Sequence, residues 1–271
     1  MLTIDVAIST HTPEGIKRVL KMLPSPREGV NYVVSWQNHE NEKIPEELSL
    51  RKDVWVYRMD KIGLSNNRNN SIDKCKGDIV LISDDDLCFE PDFIDKIRSA
   101  FERYPDMDLG IFKVLFKNKK NYPEENRRLR LPFPKSYYPS SVEISFRRSS
   151  LNGLKFWDKM GLGNEFLGCG EDELFLISAI RRGMNCRFFN ETIARHPYET
   201  SGDKITPGIL RGQGMIIQSI YPFSSFLRIL LKSYRLWRKK SVSPSFSFPL
   251  LLKGAGFYIF NRKKIPMDCR W

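Results

Sequence analysis

What this chain has little of narrows what it can be. Apolar runs are short: no stretch reaches the roughly 20 uninterrupted apolar residues that a membrane-spanning helix needs. Cysteines are few and badly placed for chemistry. The five of them (Cys75, Cys88, Cys169, Cys186, Cys269) are odd in number, scattered, and form no C-x-x-C pair. That spacing excludes a disulfide framework and offers no structural zinc site, so free and mostly buried thiols are expected. Acids are missing from one end. From Arg211 onward there are twelve Lys or Arg against a single acid, Asp268, so nearly all of the formal net charge of +12 sits in the tail and the first 210 residues are close to neutral. A nucleic-acid-binding domain would spread positive charge over a folded face, so that class is disfavoured and no nucleic-acid partner is expected. The opening MLTIDVAIST carries Asp5 and lacks a basic n-region, so it reads as a first buried strand rather than a signal peptide, and a cytoplasmic chain is expected.

Of the 271 residues, 41% are hydrophobic, enough for a sizeable core. In the first half, short β-rich runs at 2–9, 31–36, 54–59 and 78–83 alternate with helix candidates at 14–22, 65–76 and from Pro91 to about Arg103. This alternation predicts βαβ units and a mostly parallel α/β sheet, whose ligands bind at the carboxyl ends of the strands. The second half adds a strand at 108–116, a polar, Pro-rich loop at 117–140, a strand at 141–148, and a capped amphipathic helix at 171–183. CRFFN and TIARH (186–196) close the domain.

The sharpest motif is LISDDDLCFEPDF (81–93), a buried strand running directly into Asp84, Asp85 and Asp86. Adjacent carboxylates repel, and a helix cap needs one acid, not three. Strand alternation puts Asp84 and Asp86 on one side, where hard oxygen ligands suit Mg2+ or Mn2+ with phosphate as the remaining ligand. Upstream, KIGLSNNRNN (61–70) sets Arg68 and Asn69 in the first turns of a helix beside the same edge, able to meet phosphate or base edges. In LGCGEDELFL (167–176) flanking glycines permit close backbone approach, and the pair Glu171 and Asp172 opens a helix. His196 stands before a proline. Taken alone it is either a ligand or the end of a strand.

The order G-L-S-x-x-R-N, strand-DDD, G-x-G-E-D and His-Pro resembles the family 2 glycosyltransferases over residues 1 to about 205. The resemblance implies a GT-A (Rossmann-like) fold, with a mixed, mostly parallel sheet flanked by helices. It also implies a nucleotide-diphosphate sugar donor, here a UDP-sugar, a divalent cation (Mn2+ or Mg2+) and inversion at the anomeric carbon. By position, Asp84 would contact the ribose or uracil and Asp86 the metal bridging the diphosphate, with His196 completing the metal site. Thr10 would hold the base and Arg68 would lie beside the nucleotide, with Asp85 in the same donor cluster. Asp172 would be the catalytic base and Glu171 would orient the acceptor. The chain departs from the pattern after its second strand, where SWQNHE (35–40) replaces an acidic segment, so Gln37 or Asn38 takes the place of the residue that reads uracil; His11 stands where relatives often carry an aromatic residue.

These features divide the chain into a catalytic domain at 1–208 and a basic, aromatic extension at 209–271. Within the extension, IIQSIYPFSSFLRILLKSYRLWRKK (216–240) joins an apolar stripe to a run of cations, the pattern of an amphipathic helix lying on an anionic membrane. A helical cap packed on the domain is the competing expectation. The predicted activity is transfer of a sugar to a glycan or lipid-linked acceptor in cell-surface polysaccharide synthesis, peripheral on the inner face of the plasma membrane. The alternatives are a sugar nucleotidyltransferase, which wants a Gly-rich basic loop that STHTPEG lacks, and a basic membrane- or nucleic-acid-binding protein.

Overall fold

In the computed structural model residues 1–40, 42–118, 120–197 and 205–265 are described. Four strands are parallel: β1 (Ile4–His11), β2 (Val30–Gln37), β3 (Val54–Met59) and β4 (Ile79–Asp84), in the spatial order β3-β2-β1-β4. They are linked by α1 (Thr12–Met22), the single turn α2 (Glu46–Ser49) and α3 (Leu64–Lys74). After the two-residue β5 (Cys88–Phe89) come α4 (Phe93–Arg103), β6 (Leu109–Phe116), the two-residue β7 (Arg127–Arg128), β8 (Ile144–Arg147), α5 (Glu171–Arg181) and β9 (Cys186–His196). Antiparallel β8 sits between β4 and β6, and β6 pairs in parallel with β9, which carries β5 and β7 antiparallel. Among the described residues this makes one mixed, mostly parallel sheet of nine strands.

Period-two alternation sorts the strand residues between two cores. Val6, Ile8, Tyr32, Val34, Ile79 and Leu81 pack on the side of α1 and α4. Ala7, Val33, Val80 and Ile82 face the opposite way, toward α3 and α5. The β1 register is anchored by a buried acid. Asp5 accepts from the backbone N–H of Lys76 and Gly77 at 2.6 and 2.8 Å and from Asn31 Nδ2 at 2.9 Å, tying the turn before β4 to β1.

Several elements differ from expectation for local reasons. Pro91 precedes α4 by two residues instead of opening it. Ser141–Glu143 form a 3-10 turn, so the strand there keeps only four residues. The helix at 171–183 is not amphipathic. Leu174 through Ala179 are all buried in sequence, because α5 is covered on both sides by the sheet and by later helices. CRFFN and TIARH form one strand, with register irregularities opposite Phe112, Lys113 and Val114. Cys75 and Cys186 are buried and Cys88 is exposed, while Cys269 lies outside the described residues.

The extension forms three helices, α6 (Pro207–Ile220), α7 (Ser225–Arg238) and α8 (Pro244–Asn261), so the run 216–240 spans the end of one helix and all of the next. Two glycines set the crossing of α6 and α8. A β-carbon added at Gly214 would collide with the Leu251 carbonyl, and one added at Gly254 would collide with the Arg211 carbonyl. At Gly256 an added carbon meets nothing within 4 Å. Gly254→Ala should therefore lower the urea midpoint, at a cost of about 1–3 kcal/mol. Gly256→Ala should leave it unchanged or raise it, since Ala is the better helix former. Equal midpoints for the two variants would contradict the close crossing.

Candidate active site

The carboxyl edge of the parallel strands and the first turn of α5 meet at a single guanidinium. Arg68, in α3, is 3% exposed. Its Nη2 reaches both oxygens of Asp84 at 3.3 and 3.2 Å, and its Nη1 reaches Asp172 Oδ1 at 2.9 Å and Glu171 Oε1 at 3.4 Å. The Phe156 ring lies 5.6 Å from its centre, and Ser65 and Asn69 fasten α3 to the carbonyls of Met160 and Phe156. Burial works to release the Arg68 proton, but Asp84, Asp172 and Glu171 outweigh it and hold the group above its ordinary value.

The three consecutive aspartates separate instead of converging. Strand β4 ends at Asp84 and the chain turns through Asp85 and Asp86, so the alternation expected to align Asp84 with Asp86 stops short. Each acid takes a different basic partner. Asp84 has Arg68. Asp85, 6% exposed, accepts from Arg18 Nε at 3.2 Å, from Arg18 Nη2 at 3.0 and 3.1 Å, and from the Thr10 hydroxyl. Asp86 Oδ1 lies 3.3 Å from His196 Nε2, and it is buried without a hydrogen bond. Burial raises the Asp86 carboxyl, with Asp84 and Asp85 adding to the shift and His196 opposing it. His196 is fixed by its strand: it pairs with Phe116 across β6 and β9 and stacks on that ring at 5.5 Å. Among the described residues no group of three His, Cys, Asp or Glu converges as a metal set.

The other expected residues are held by the backbone. The Thr10 carbonyl accepts from Asn67 Nδ2 at 2.8 Å. Gln37, 5% exposed, donates its amide to the carbonyls of Lys61 and Gly63 and so shapes the turn that leads into α3. Arg18 and Gly15 went unnoticed in the sequence. Gly15 has to be small, because a β-carbon there would press on the Asp85 carboxylate at 2.7 Å and on the Thr10 hydroxyl. The signal for both was the spacing of Gly15 and Arg18 in a helix that directly follows the Thr10 strand end.

At the second cluster, Gly170 takes φ 100, a left-handed conformation open to glycine, and lets α5 begin with Glu171, Asp172 and Glu173 in its first turn. Asp172 Oδ2 accepts from the Ser141 backbone N–H at 2.9 Å, so both of its oxygens are engaged. Glu171 is buried against Gly161, where a β-carbon would lie 2.8 Å from its carboxyl carbon. Burial pushes Glu171 up, with Asp172 adding and Arg68 opposing. Burial and then Asp172 lift Glu173 to about 7. These acids open onto a cleft of about 580 Å³, walled by Phe116 and Tyr138 from the long loop and its preceding strand, and by Gln213 and Lys232 from α6 and α7.

A family model described as "Glycosyl transferase family 2" matches residues 11–156. That span holds Arg68 and the three aspartates and ends before Glu171, Asp172 and His196. No curated protein matches the chain in sequence. Among solved structures, S. aureus TarS 1–349 in complex with UDP-GlcNAc is similar at a TM-score of 0.65 and 16% identity, over 98% of this chain and 82% of that one. The same fragment in complex with UDP gives 0.59 and 16%, over 92% and 75%. Against the longer S. aureus TarS the values are 0.63 and 16%, over 96% of this chain and 49% of that one, about half of its length. At this identity the likeness is one of fold.

Replacing Arg68 by Met strands three carboxylates and should destabilise the protein by about 3–5 kcal/mol in urea unfolding; a loss below about 1 kcal/mol would contradict the buried network. Glu173 gives a pH test. Its carboxyl is raised from 4.5 to about 7 in the folded state, so the stability it contributes is present below pH 4.5 and is lost as pH rises through about 7. Thermal stability should fall over that window in the wild type and fall less in Glu173→Gln.

Proposed function

The chain belongs to glycosyl transferase family 2 and has the GT-A fold, and from that premise we propose that it moves a sugar from a UDP-sugar to an acceptor hydroxyl by inverting displacement. The observation that carries this reading is the Arg68 bridge, which joins an acid cluster at the carboxyl edge of a parallel sheet to a second one at a helix start. Ligands of such sheets bind at that edge. The S. aureus TarS structures with UDP and UDP-GlcNAc share this fold, which supports the choice of donor.

On the donor side, Thr10, Gln37, Arg68, Asp84 and Asp85 frame the nucleotide. Asp85 acts through its bonds to Thr10 and Arg18, and Gln37 acts through the 61–63 turn that it holds. Asp86 and His196 fit a hard divalent cation, Mg2+ or Mn2+. One offers a buried oxygen with no hydrogen bond and the other a ring nitrogen 3.3 Å away, an oxygen and nitrogen pair to which diphosphate and water would add the remaining ligands. When bound, such an ion supplies charge neutralisation on the departing diphosphate.

On the acceptor side, Asp172 takes the proton from the attacking hydroxyl while Arg68 and the Ser141 N–H fix its direction, and Glu171 orients the acceptor. The reverse assignment is favoured by one observation. Glu171 has its proton affinity raised by burial, which suits a base at neutral pH, whereas both oxygens of Asp172 are engaged. The acceptor is a glycan or a lipid-linked hydroxyl of cell-surface polysaccharide synthesis, at the inner face of the plasma membrane. Residues 1–208 form the catalytic domain. The extension at 209–271 completes its cleft with Gln213 and Lys232, and its run of cations beside apolar and aromatic residues suits contact with an anionic membrane.

Thermal shift with UDP and Mn2+ tests the donor site: stabilisation should require both and should vanish in Asp86→Ala. Asp172→Asn and Glu171→Gln should keep UDP binding, and the variant that removes the base should lose about 10²- to 10⁴-fold in transfer. If UDP, with or without the metal, leaves the wild type's melting unchanged, the donor assignment fails.

A further inference from the structure

Helix α7 presents three faces, of which one is buried, while at the edge of another Phe226 meets the Phe248 ring of α8 at 5.9 Å. Ser225, Ile229 and Ser233, spaced i, i+4 and i+8, are buried, and Ser233 Oγ lies 2.7 Å from Ser247 Oγ of α8. On the far side a continuous apolar stripe stands in solvent. Phe226 is 62% exposed, Leu230 47% and Trp237 54%, with Leu227, Leu231 and Tyr234 beside them. Scattered apolar residues on a surface are ordinary, whereas exposed apolar and aromatic residues gathered on one helix face are the composition of a docking face. Between these two faces runs an edge of cations, Arg228, Lys232 and Arg235, at i, i+4 and i+7.

One member of that edge, Lys232, reaches the cleft. Lys232 forms part of the cleft wall together with Glu173 and Asp172, and the Glu173 carboxylate acts on its ammonium electrostatically. Across the opening, Tyr138 on the long loop lies within electrostatic reach of Arg228 and Arg235. In the same cleft Gln213 Oε1 is buried without a hydrogen-bond partner. The helix that carries the exposed stripe thus contributes Lys232 to the wall of the cleft beside the proposed base.

We propose that α7 lies on an anionic bilayer, with its apolar stripe among the acyl chains and its cationic edge at the headgroups, and that the cleft accepts a lipid-linked acceptor whose linking phosphate meets Lys232. Charge decides the occupant. The helix carries no acid, so a second copy of the chain would bring cations against cations, whereas an anionic surface complements them. None of the helices among the described residues is long and apolar enough to cross a membrane, which fits a helix lying in the interface. The proposal rests on the glycosyltransferase reading of this site and adds the class of its acceptor.

The test is flotation with vesicles of phosphatidylcholine, alone or mixed with phosphatidylglycerol. The wild type should float only with the anionic vesicles, less so at high salt, and Leu230→Asp combined with Trp237→Asp should weaken binding roughly tenfold or more while UDP affinity stays unchanged. Unchanged flotation in that variant, or a wild type that does not float, overturns the docking. A dimer in sedimentation that the variant splits would also overturn it, assigning the stripe to a second copy. Vesicles of phosphatidylcholine doped with a polyprenyl diphosphate should hold the wild type more tightly than phosphatidylglycerol vesicles of equal charge. Lys232→Gln should lose that excess and keep the rest; if it retains the excess, the phosphate contact is refuted. Loss of UDP binding in the wild type would instead count against the donor site and leave the flotation result standing.

Discussion

A guanidinium removed from water is tolerated only where carboxylates replace the water, and three carboxylates crowded together are tolerated only around a cation. Arg68 and its partners meet both conditions at once. Asp84 comes from the end of β4, Glu171 and Asp172 from the start of α5, and Arg68 from α3, so three separate elements depend on one buried charge cluster. The rest of the site is arranged around it. The segment at 156–163 must pass close to α3, Gly161 must be small beside Glu171, and α5 must begin without a side-chain cap.

The same reasoning accounts for the three adjacent aspartates. Three like charges in sequence are unfavourable unless each finds its own opposite. The turn after β4 sends them apart, to Arg68, to Arg18 with Thr10, and to His196. The first two are occupied by protein partners. Asp86 faces His196 at 3.3 Å and keeps that same buried oxygen without a hydrogen bond.

The C-terminal helices finish what the sheet begins. Helices α6 and α8 cross at Gly214 and Gly254, close enough for backbone to touch backbone, and this holds α6 against the Gly168–Gly170 segment ahead of α5. The extension therefore walls the cleft, while α7 turns its apolar stripe outward. Packing against neighbouring helices and an exposed apolar stripe, which compete as expectations from sequence, occupy different faces of α7.

Chain order alone determined much of this protein. Alternating apolar residues fixed which side chains face which core, the βαβ rhythm fixed a parallel run of strands, and two acid clusters stood out, one at a strand end and one at the start of α5. These are short-range properties, each readable within a window of ten or so residues. Tertiary structure decided which charges meet. Arg68 stands 103 and 104 residues from its partners Glu171 and Asp172, and Arg18 stands 67 from Asp85. Pairing at that distance depends on how elements stack, not on local spacing. For the same reason the bridge that Arg68 makes between two acid clusters is invisible in its own segment, and the helix read as amphipathic from its own residues is buried along most of its length by neighbours that its sequence does not name.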